Sequence, residues 1–85
     1  MNIMSRQMGE ITVVNITGRL DSSTSTDASA FLMEEINQQH VRLVIDLAEV
    51  DYITSAGVRC IINAMKLARL GRGDVRLAGV RLEAH

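Results

Sequence analysis

Four residues, Thr54-Ser55-Ala56-Gly57, carry the strongest chemical signal in this chain. They follow the apolar run Leu43-Val44-Ile45-Asp46 and a short connection, and they open an amphipathic helix. Ser55 therefore falls where unpaired backbone N–H groups and the helix dipole favour negative charge. Two readings follow. The serine either caps the helix through a bond from a first-turn N–H, worth about 1 kcal/mol, or it carries a phosphate of roughly 1.5 to 2 negative charges. On a docking surface, that charge would change the affinity for a partner.

Other reactive residues form no recognisable constellation. Cys60 lies inside the same helix, beside its apolar stripe, as a buried and inert thiol. His40 stands at a helix end and His85 is the last residue, so neither is near Ser55 or Cys60 in sequence. No CxxC or HxxxH spacing supplies metal ligands, and Asp46, Glu49 and Asp51 read as loop carboxylates at a strand end. Gly71-Arg72-Gly73-Asp74 leads from helix to strand, the reverse of a phosphate loop. These observations predict a protein without enzymatic chemistry, bound metal or cofactor.

The elements that must position Ser55 belong to one small domain, residues 1–85. Hydrophobic residues at 47% suffice for a globular core, while 2% aromatics and a net charge of −1 argue against nucleic-acid binding. Charge is unevenly spread. Three arginines against eight acids give residues 1–54 a net −5, and six cations against Asp74 and Glu83 give residues 55–85 a net +4. Such asymmetry orients protein partners. The single cysteine and the lack of a membrane-length or signal-like apolar run lead us to expect a cytoplasmic module, not a membrane protein.

Ile3 to Gln7 and Ile11 to Ile16 read as a strand hairpin around Gly9-Glu10, with Gly18 marking a bulge or a close backbone approach. Asp21 to Thr26 is a polar N-cap cluster, with Thr24 and Asp27 spaced as a capping box with a shortened acid. A helix follows through Ala28, Phe31, Leu32 and Ile36 to about Gln39-His40. Val41 to Leu47 is a strand that is central in the sheet or covered on both faces. Val58, Ile61, Ile62 and Met65 give the second helix an apolar stripe, Gly71 and Gly73 stop it, and Val75 to Val80 form a last strand. The order β-β-α-β-α-β predicts an α/β fold: a small, mixed, mostly parallel four-stranded sheet with its helices mainly on one face.

Three segments, VVNITGRLDSST, LVIDLAEVDYITSAGVRCII and GDVRLAGV, together resemble the STAS family, in particular bacterial anti-sigma factor antagonists. The resemblance runs from about Ile3 to Val80. It implies a regulatory module that binds an anti-sigma factor, often a serine kinase, and so releases a sigma factor. It further implies phosphorylation at the start of the helix after the central strand, and reset by a PP2C-type phosphatase. The family's usual Asp-Ser-Ser-Gly-Leu aligns with Thr54-Ser55-Ala56-Gly57-Val58, which puts the phosphoacceptor on Ser55, with Thr54 the poorer alternative. Docking is expected from Asp21, Ser22, Ser23, Thr54, Ala56, Gly57 and Arg59. Thr54 and Ala56 depart from the motif, which keeps open a STAS scaffold or ligand-binding domain that is never phosphorylated. The family also implies a further helix after the last strand, where only Arg81 to His85 stand here. Its absence is expected to expose apolar sheet or helix surface and to favour self-association or a partner.

Overall fold

The computed structural model describes residues 1–80. Its elements are β1 (Asn2–Met8), β2 (Ile11–Leu20), α1 (Ser25–Asn37), β3 (Arg42–Ile53), α2 (Ser55–Leu70) and β4 (Asp74–Ala78). The four strands lie side by side in chain order, with β1 antiparallel to β2 and both β2/β3 and β3/β4 parallel. The expected α/β order and mixed sheet are therefore present. The expectation for Arg81 to His85 lies outside the described residues.

One core joins sheet to helices. Val14, Ile16, Leu20, Leu43, Ile45, Leu47 and Val75 project from the strands onto Ala28 and Leu32 of α1 and Cys60, Ile61, Ala64 and Ala68 of α2. In β3, Leu43, Ile45 and Leu47 are buried, while Val44, Asp46 and Ala48 on the other face are half-buried. The Leu-Val-Ile run thus marks a central strand covered by helices on one face only.

Several local expectations need correction. β3 continues to Ile53 rather than ending near Asp46, because β2 itself runs on to Leu20 and pairs with it. Gly18, at φ 95°, accommodates one of the two register shifts that let β2 follow its partner; few side chains tolerate that backbone. The stripe of α2 is rotated from the expected one: Gly57, Cys60, Ile61, Ala64 and Ala68 face inward, and Val58 and Ile62 are each 44% exposed. Gly57, Cys60, Ala64 and Ala68 let α2 lie close to the sheet with Ile61 buried among them, and Val58 and Ile62 are turned outward. Leu67, Leu70, Leu77 and Val80 are exposed as well.

The helix ends also differ. Neither α1 nor α2 is stopped by a left-handed glycine. Gln39 (φ 69°) and Arg72 (φ 67°) hold those positions, each within a paired set of bonds back to the last turn. His40 N–H donates to Glu35 O and Gln39 N–H to Ile36 O, both at 3.0 Å; Gly73 N–H donates to Ala68 O at 2.8 Å and Arg72 N–H to Arg69 O at 3.0 Å. Both are Schellman closures, made at the strain that a Cβ brings to a left-handed backbone.

Candidate functional site

Parallel connections place both helix N-termini at the C-terminal edge of β2 and β3, where open α/β sheets commonly bind ligands. Two positive dipole ends therefore share that edge. The Asp21–Thr24 loop enters α1 there, and Thr54 enters α2.

Asp21 organises the first loop. Its Oδ1 accepts the Ser23 hydroxyl at 2.7 Å, the Ser23 N–H at 3.0 Å and the Thr24 N–H at 3.2 Å. Arg19 Nε stands 3.4 Å from Oδ2. The Ser23 hydroxyl above all holds the Asp21 carboxyl down to about 2, with partial desolvation working against it and the two amides and Arg19 reinforcing it. The expected Thr24–Asp27 capping box is not formed. Thr24 already has helical ψ (−19°), so its hydroxyl turns back, accepting the Asp21 N–H at 2.9 Å and donating to Arg19 O at 2.9 Å. Ser22 and Ser23 are exposed on the loop.

The second loop is tied to the first through one carbonyl. Leu20 O accepts the Thr54 N–H at 3.0 Å. A Cβ on Gly57 would lie 2.7 Å from that same oxygen and 2.8 Å from Leu20 Cγ. Gly57 is buried, and what approaches its backbone is the chain's own β2 end. Beside this seam, the Arg19 guanidinium stacks 4.3 Å over the ring of Tyr52, its cross-strand neighbour.

Ser55 is the first residue of α2 and is exposed. The capping position belongs to Thr54, whose side chain makes no capping bond and whose Oγ1 is buried without a partner. Its extended backbone (ψ 175°) starts the helix without help from either hydroxyl. Ala56 and Arg59 line a groove of about 280 Å³ between the helices, together with Ser25, Thr26, Ser29, Cys60 and Asn63. The structure thus brings Asp21, Ser22, Ser23, Thr54, Ser55, Ala56 and Arg59 to one edge.

Tyr52, Ser25, Thr26, Ser29 and Asn63 join them without having been expected. For Tyr52 a signal existed: Val50, Tyr52 and Ile53 are strand-prone and continue β3. For the others only the tertiary fold brings them together. The remaining candidates lie elsewhere or are otherwise engaged. Cys60 is buried at 4% exposure. His40 follows the far end of α1, a helix of 13 residues and hence about 20 Å long. There its Nδ1 is 2.6 Å from Glu35 Oε2, and Ser5 donates to Oε1 of the same carboxylate. Burial pushes the Glu35 carboxyl up, but the Ser5 hydroxyl and His40 outweigh it, and the net shift is downward. Asp46 accepts from Asn15 Nδ2 at 3.1 Å and from the Ala48 N–H at 3.0 Å.

Comparison with known proteins places this architecture. BtrV of Bordetella bronchiseptica, named as an anti-sigma factor antagonist, is 25% identical over 81 residues, covering 95% of this chain and 70% of BtrV. The solved structure of the anti-sigma factor antagonist SpoIIAA in its unphosphorylated form superposes with a TM-score of 0.81 at 17% identity, covering 95% of this chain and 76% of SpoIIAA. The phosphorylated form of the Bacillus cell fate determinant SpoIIAA gives 0.72 at 17% identity, covering 87% and 68%. Both structures share the fold. The model of the STAS domain matches residues 2–84, and the chain belongs to the STAS domain family.

Proposed function

We propose that this chain is an anti-sigma factor antagonist whose docking surface is switched by phosphorylation of Ser55. In the unmodified state, the edge formed by Asp21, Ser22, Ser23, Thr54, Ala56 and Arg59 binds an anti-sigma factor that is itself a serine kinase, and so controls transcription indirectly. Gly57 contributes by setting how close that edge lies to the sheet. The kinase transfers the γ-phosphoryl of ATP to Ser55 Oγ. A new P–O bond forms as the β–γ bridging P–O bond breaks, ADP leaves, and the hydroxyl proton passes to a kinase base. A PP2C-type phosphatase restores the serine: water attacks phosphorus, the P–Oγ bond breaks, Oγ takes up a proton, and inorganic phosphate leaves. The protein acts by binding, in the cytoplasm, as one domain over residues 1–85.

The observation that carries this reading is the exposed Ser55 in the first turn of α2, held in place by backbone contacts at its neighbours. The N-terminal dipole favours the added charge, so the fold tolerates the modification. The buried hydroxyl of Thr54 supports Ser55 over Thr54 as acceptor. Incubated with its cognate kinase and ATP, the wild-type chain is expected to gain one phosphate by mass spectrometry and Ser55→Ala none. Phosphate that persists in the alanine variant refutes the assignment.

A second reading, a STAS scaffold that binds constitutively, draws on the motif departures at Thr54 and Ala56. It differs in one measurable respect: Ser55→Asp should then bind the partner as tightly as the wild type does.

A further inference from the structure

We propose that Arg59 is the intramolecular receptor for the phosphate on Ser55, an inference that rests on the phosphorylation reading above. The two residues are four apart on α2, the spacing at which helical side chains meet. Helical Cα–Cβ bonds tilt toward the N-terminus, so a long side chain at position 59 covers the turn that begins at 55. The order of charges, anion before cation, is the favourable one on a helix.

Arg59 is also uncommitted. It is exposed, lines the groove between α1 and α2, and takes part in none of the ion pairs among the described residues. No acidic residue lies in the first turn of α2 to compete for it. At the same edge of the sheet, Arg19 and Asp21 are paired with each other, and Asp27 and Asp51 are exposed. Arg59 is therefore the cation available to a new anion at position 55, and its planar guanidinium suits bidentate contact with phosphate.

The consequence is a two-part switch. Before modification, the guanidinium faces the groove and any acidic partner docked there. After modification, it is drawn back over the first turn. The groove loses its cation as the first turn gains an anion, so the net change in charge is that of the phosphate, roughly −1.5 to −2, while its distribution across the docking edge is rearranged.

The test installs phosphoserine at position 55 during synthesis, using an expanded genetic code, so that no kinase is needed. Phosphorus NMR then follows the second ionisation of the phosphate in four proteins: otherwise wild type, Arg59→Gln, Arg59→Lys and Lys66→Gln. With Arg59 present, the ionisation is expected below the roughly 6 of the free group. Arg59→Gln should raise it by about 0.2–0.4 unit and Arg59→Lys by less. Lys66→Gln should leave it unchanged, since Lys66 lies about 16 Å along the helix, beyond the screening length at physiological salt. Equal values in wild type and Arg59→Gln, or a shift of the same size in Lys66→Gln, overturn the proposal. If Ser55 is not a natural acceptor, the kinase experiment shows it, and the titration is unaffected.

Discussion

Gly57→Ala tests whether the site is built on close approach of α2 to the end of β2. The added Cβ would stand 2.7 Å from Leu20 O, 2.8 Å from Leu20 Cγ and 3.0 Å from Ile53 Cγ1. Ordinary contact begins near 3.4 Å, so the helix start or the strand end must move by several tenths of an ångström. Overpacking of this kind costs about 1–3 kcal/mol. The same movement stretches the 3.0 Å bond from the Thr54 N–H to Leu20 O, which is worth about 0.5–1.5 kcal/mol. Alanine in a helix offsets up to about 1 kcal/mol of this through propensity. The net expectation is a loss of about 1–3 kcal/mol, or roughly 5–20 °C in melting temperature for a domain of this size. Thermal unfolding followed by far-UV circular dichroism measures it, with urea unfolding as a second reading of the same free energy. Because Gly57 has ordinary helical φ, nothing about the backbone alone disfavours alanine. A variant as stable as the wild type, or more stable, would therefore refute the close-approach argument itself.

The two strained helix ends should respond in the opposite direction. Gln39→Gly and Arg72→Gly are each expected to stabilise the chain by about 0.5–1 kcal/mol, since relief of left-handed strain exceeds the entropy glycine adds to the unfolded chain; a fall in melting temperature for both would count against the assignment. Asp21 gives a pH signature. Its folded-state pKa of about 2 lies below the usual aspartate value, so its contribution is complete above about pH 4 and fades as pH falls through 2. The difference in urea midpoint between wild type and Asp21→Ala should therefore shrink between pH 5 and pH 2, and a constant difference would show that the carboxylate bonds are not its source.

The order of elements was legible because apolar spacing alternates between two-residue and helical periods, with polar or glycine punctuation between. What escaped the sequence reading was decided by the neighbours of each segment. Glu49 and Asp51 look like loop residues taken alone, yet they lie within β3 because the end of β2 pairs with Glu49, Val50, Tyr52 and Ile53, with Asp51 the extra residue at a register shift. The buried face of α2 is not its most hydropathic one, since Val58 and Ile62 are more apolar than Cys60 and Ala64. The gap above the sheet takes Cys60 and Ala64 beside Ile61, and leaves Val58 and Ile62 outside. The glycines after α2 do mark its end, with Gly71 as the C-cap, but the left-handed residue is Arg72 between them. At the candidate site, Ser55 and Asp21 were identifiable by type and position in their motifs, and Arg59 by its place on the polar face of the following helix. Ser25, Thr26, Ser29 and Asn63 reach the same groove only because parallel crossovers bring α1 and α2 together.

The way the α2 turn is held explains why a serine there is free for chemistry. A side chain that caps a helix cannot be modified without also removing the cap. Here the turn is held by backbone and by an absence: the Thr54 N–H on Leu20 O, and the missing Cβ of Gly57 against the same oxygen. Ser55 lies between these two anchors and serves neither as N-cap nor as core. Its hydroxyl can change charge while the groups that place it stay in register. The same arrangement locates sensitivity to mutation. Substitutions at Leu20 or Gly57 should alter the fold and the docking edge together, whereas those at Ser55 and Arg59 should alter the edge alone.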